Sequence, residues 1–80
     1  MHKEEIQNLL FNFGFAEAMN KTRSGNNSIH MIHRCDRLKR LVEYHVDNLG
    51  LIKFIWAFDY IAGLDMIENV DDFEIWLNKE

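Results

Sequence analysis

Residues 51–64, LIKFIWAFDYIAGL, constrain the fold most, because 11 of these 14 positions are apolar or aromatic. A membrane-spanning helix needs about 20 such residues, and here Lys53 and Asp59 interrupt the run. The stretch must therefore be covered by the rest of the chain or by another protein. Read as a helix, it is apolar nearly all round, and a helix of that kind is either central in its fold or half of an interface. A run rich in Ile and Phe also suits a buried strand. Its length, its alanines and its lack of turn signals predict the helix.

Little else is on hand to cover it. The chain has 80 residues, enough for one domain and not for two separate cores. A domain of this size commonly adds disulfides, a structural metal or a partner subunit. The single cysteine, Cys35, excludes an internal disulfide. Hydrophobic residues make up 48% of the chain, which separates it from disordered sequences. The absence of proline leaves helices uninterrupted.

These features predict an all-α fold, a compact bundle of four helices that homodimerisation would complete. The first helix is expected over residues 3–21, where Ile6, Leu9, Leu10, Phe13, Ala16 and Met19 recur at spacings of three and four. Gly14 either marks a close crossing or splits the segment in two. Residues 20–28, NKTRSGNNS, form a linker. The second helix is expected over 29–48, with Ile32, Cys35, Leu38, Val42, His45 and Leu49 as its stripe and Gly50 ending it. The third covers 51–64. The fourth covers 69–79, where Asn69 and Asp72 resemble a capping box with Asp in place of Glu.

Charge divides the chain. Residues 1–40 carry seven Lys/Arg against four Asp/Glu, and residues 41–80 carry two against nine. The net charge of -4 does not suit a general phosphate binder. A nucleic-acid surface could still form from Arg34, Arg37 and Arg40, extended by Lys21 and Arg23. The second helix offers no Asn or Gln base readers between residues 29 and 46, so such binding would rest on phosphate contacts. Asp36 and Glu43 partly neutralise that patch.

His30, His33 and Cys35 lie close together, but His33 and Cys35 diverge on a helix, and neither His2 nor His45 completes a tetrahedral set. No metal or cofactor is expected. No serine with a base, paired carboxylates or glycine-rich phosphate loop is present, so no enzyme is expected either. Asp59, inside an apolar helix, requires a partner such as Arg37, Arg40 or His45. The polar, acidic opening residues carry no leader signal, and a cytoplasmic protein is expected. The function expected is that of a regulator, adaptor or inhibitor acting by protein–protein contact. Its candidate contact residues are Lys53, Trp56 and Tyr60, with Asp71, Asp72 and Glu74 as a surface for a basic partner.

Overall fold

The computed structural model describes residues 1–22 and 28–79. It replaces the expected helical bundle with a five-stranded antiparallel sheet and two short helices. The order is α1 (Lys3–Asn12), β1 (Ala16–Thr22), β2 (Ile29–Cys35), β3 (Arg40–Val46), β4 (Ile55–Asp59), β5 (Gly63–Ile67) and α2 (Val70–Asn78). The strands lie side by side in chain order, a simple meander.

Of the four expected helices, only the last survives whole. Asn69 caps α2 by accepting from the Asp72 amide at 2.8 Å, and its own amide nitrogen donates to the Asp72 carboxylate. The Asn69–Asp72 pairing that the sequence suggests is present, with the Asn69 side-chain amide in place of the backbone N–H that a capping box uses. The first expected helix stops at Asn12 because Gly14 adopts a left-handed φ of 86°. Gly14 N–H donates to the Phe11 carbonyl and Phe15 N–H to the Leu10 carbonyl. That bond pair closes a helix end and turns the chain away. A side chain at residue 14 would be strained in this conformation, costing about 1–2 kcal/mol.

The expected second helix is instead the β2–β3 hairpin, joined by residues 36–39. Along β3, Arg40, Val42, Tyr44 and Val46 are buried, while Leu41, Glu43 and His45 between them are only partly so. Alternation of this kind is the strand period, and β-branched and aromatic residues favour it. The expected third helix breaks into a loop, β4 and the start of β5. Two aspartates supply the turns the sequence conceals. Asp47 Oδ1 accepts from the Leu49 and Leu51 amides, with Gly50 at φ 79°. Asp59 Oδ1 accepts from the Ile61 and Ala62 amides, with Gly63 at φ 96°. A three-residue hairpin loop ended by a left-handed glycine is a common strand connection.

Both helices contribute to one core. Ile6 and Leu10 of α1 and Phe73, Trp76 and Leu77 of α2 join Met31, Val42, Tyr44, Ile55, Ala57 and Ile67 of the sheet. Successive strand residues point to opposite faces. All of those sheet residues therefore belong to one face, and the helices cover it. The other face has no second layer among the described residues.

Candidate functional site

The uncovered face is built from the alternate residues of each strand. Its register fixes two rows. Ile32, Glu43, Trp56 and Met66 lie in one, and Arg34, Leu41, Phe58 and Leu64 lie in the next. His30 and His45 pair in a third. Phe58 is 41% exposed, Met66 60% and Leu64 62%. At the end of the face, the β4–β5 turn projects Tyr60 and Ile61, 72% and 90% exposed. Isolated exposed apolar residues are ordinary, but a contiguous patch is not.

Polar groups in the face are few and mutually engaged. The His30 Nε2 lies 2.8 Å from Glu43 Oε1. The His30 ring stacks on His45 at 4.5 Å, and His45 meets Trp56 edge-on at 6.1 Å. Phe54 also packs edge-on to Trp56, at 4.6 Å. The indole is thus held by neighbours rather than free to swing, which lowers the entropy lost when a partner covers it. Beside Phe58, a notch of about 190 Å³ opens between Arg34, Lys39, Leu41 and Tyr60.

The candidate contact residues do not form one surface. Trp56 stands in the open face, and Tyr60 borders it at the notch. Lys53 lines a hollow of about 170 Å³ with His45 and Phe54, the two rings that pack against Trp56. Asp71, Asp72 and Glu74 are exposed on α2, which lies over the covered face. Ile32, Leu41, Phe58, Leu64 and Met66 go unnominated by sequence reasoning. Trp56-x-Phe58 and Leu64-x-Met66 are the signal, but only once the strands and their register are known.

The basic candidates scatter as well. Arg34 is on the open face beside Asp36, its Nε 3.1 Å from that carboxylate. Arg37 is exposed in the hairpin turn. Lys21 pairs by register with His30, and Arg23 lies outside the described residues. Arg40 faces inward and is 7% exposed. Its Nε donates to Asp59 Oδ2 at 2.7 Å, its Nη1 to the carbonyls of Trp76 and Leu77, and its Nη2 to that of Lys79. It also stacks over the Trp76 ring at 4.9 Å. Arg40 therefore satisfies the carbonyl end of α2 and is the partner that Asp59 requires. These donors are spent inside the fold. A phosphate-binding helix face uniting Arg34, Arg37 and Arg40 is not present.

The candidate metal ligands are divided by the sheet. His33 and Cys35 point to the covered face, and His30 and His45 to the open one. His33 is 6% exposed and its Nε2 lies 2.7 Å from the Tyr44 hydroxyl. Burial pushes the His33 pKa below 6.5, against the opposing pull of Glu17. Burial also raises the Tyr44 pKa from 10.0 to about 12, a shift that a Gln7 hydrogen bond moderates. Both groups are thus held neutral, which fits a Tyr44 O–H donating to an unprotonated His33.

The consequence for stability has a definite sign. The unfolded chain takes up a proton near pH 6.5 that buried His33 refuses, so stability is full above that pH and falls below it. Asp59 adds a second loss at lower pH. The Ala62 amide, then Arg40, then the Ile61 amide hold its pKa at about 2 against 3.8, so its contribution disappears as pH falls through that interval. Urea unfolding of the wild type should give a lower midpoint at about pH 5 than at about pH 8. His33→Gln should flatten that difference. An unchanged difference in the variant would remove His33 as its source.

Comparison with protein-family models, with curated proteins and with solved structures finds no match for this chain. No helix among the described residues is long and apolar enough to cross a membrane.

Proposed function

We propose that this chain is a non-enzymatic binding module, a regulator, adaptor or inhibitor that acts by covering a protein surface with the open face of its sheet. The observation carrying this reading is the one-sided layering. Five strands are roofed by two helices on one face, while Trp56, Phe58, Leu64 and Met66 stand on the other. A sheet face with such side chains gains free energy only when something covers it. Trp56 and Phe58 are the anchors, since aromatic residues carry much of the energy in protein interfaces. Two titratable groups of the covered face, His33 and Tyr44, are buried there and hydrogen-bonded to each other. Cys35 is buried and has no second cysteine to pair with, which suits a reducing compartment such as the cytoplasm.

A photo-crosslinking residue at position 58 tests the reading in the cells the protein comes from. A discrete adduct is expected there, and none from the same residue at position 75, an exposed site on α2. Equal labelling at both positions, or none at 58, would refute a dedicated face.

A further inference from the structure

Resting on that reading, we infer that the occupant of the open face is a second copy of this chain, packed sheet against sheet. Three observations point to it.

The first is area. A fully exposed large side chain presents roughly 150–250 Å². On that scale Phe58, Tyr60, Ile61, Leu64 and Met66, with their partly exposed neighbours, offer roughly 700 Å² of accessible surface. A standard stable interface takes about 800 Å² from each partner. The face together with the turn at its end approaches the size that one partner of similar extent would cover.

The second is charge. The chain carries a net charge of -4, yet the register of this face includes two cationic positions, Lys21 and Arg34, and one anionic position, Glu43. The remaining described acidic residues are placed on the covered face, in turns and connections, and on the helices. Two copies could therefore meet here without the repulsion their net charge would otherwise impose. Glu43 would enter the interface already paired with His30, which lessens the cost of taking its charge out of water.

The third is shape. A twisted antiparallel face packs on another such face about 10 Å away, with side chains interleaved. The second copy supplies that shape, and isologous contact of one patch with itself closes as a dimer. The product is a ten-stranded sandwich with α1 and α2 of each copy outside. It provides the layer that each sheet lacks.

Sedimentation of the purified chain tests the inference. Self-association with a dissociation constant in the micromolar range or tighter is expected for such an area. Phe58→Ser combined with Met66→Ser should weaken it by at least about thirty-fold. Ile75→Ser on α2 should leave it unchanged. Circular dichroism and thermal melting check that the variants fold, and Leu64→Glu gives a second route to the same readout. A wild-type monomer at about 200 µM would overturn the inference, as would a dimer indifferent to the face substitutions. A monomer that still gives a position-58 adduct of heterologous mass in cells would leave the binding-module reading standing and remove only the second copy.

Discussion

Arg40→Ala is expected to destabilise the protein by about 2–4 kcal/mol, since a buried acceptor left without its donor costs about 1–3 kcal/mol and the packing over Trp76 is lost as well. The side chain is nearly inaccessible, and four of its five N–H donors are occupied. One arm meets Asp59, and the others meet the last carbonyls of α2. Truncation leaves the buried Leu77 carbonyl without that donor and the Trp76 carbonyl with only the Lys79 N–H. It also removes the cation above Trp76. Asp59 suffers less, because the Ile61 and Ala62 amides still hold its other oxygen. A small domain has a total stability of about 5–15 kcal/mol, so the variant should be marginal at room temperature. Arg40→Lys should recover only part of the loss, since an ammonium cannot reproduce the planar fork that reaches four acceptors. Urea unfolding followed by circular dichroism measures both. A loss below about 1 kcal/mol for Arg40→Ala would place Arg40 among ordinary surface cations.

Phe73→Ala and Phe58→Ala should differ several-fold in their effect on the monomer. Phe73 is completely buried between α2 and the sheet, stacked on Trp76 at 6.1 Å. Its truncation removes a large apolar group and leaves a cavity, at a cost of about 3–5 kcal/mol. Phe58, 41% exposed on the open face, should cost less than about 1 kcal/mol when measured at a concentration where the chain is monomeric. The comparison separates two uses of aromatic surface in one small chain. Phe73 stabilises the fold, and Phe58 is retained for contact. Equal losses would mean that the open face is already packed within the monomer, and the binding reading would fall with it.

The sequence determined by itself that no disulfide forms within these 80 residues. It also determined that Asn69 caps α2. The chain reverses near Gly14, Gly50 and Gly63 because a left-handed conformation favours glycine, and the sequence marks those places. It did not determine whether residues 29–48 and 51–64 are helices or strands. Ile32, Cys35, Leu38, Val42, His45 and Leu49 satisfy the helical spacing, while Val42, Tyr44 and Val46 satisfy the strand spacing. The usual arbiter, polar residues on the outward positions, is missing because Ile32, Leu41, Trp56 and Phe58 point outward. The feature that proposes the function therefore erased the alternation that reveals the fold. Arg40 obscured the pattern from the inside. A charge at an inward position reads as surface until its partners are known, and three of them are backbone carbonyls 36 to 39 residues away in sequence. Strand pairing, the destination of Arg40 and the open face itself all depend on contacts between distant segments. Local propensity carries no record of these, and only the tertiary structure decided them.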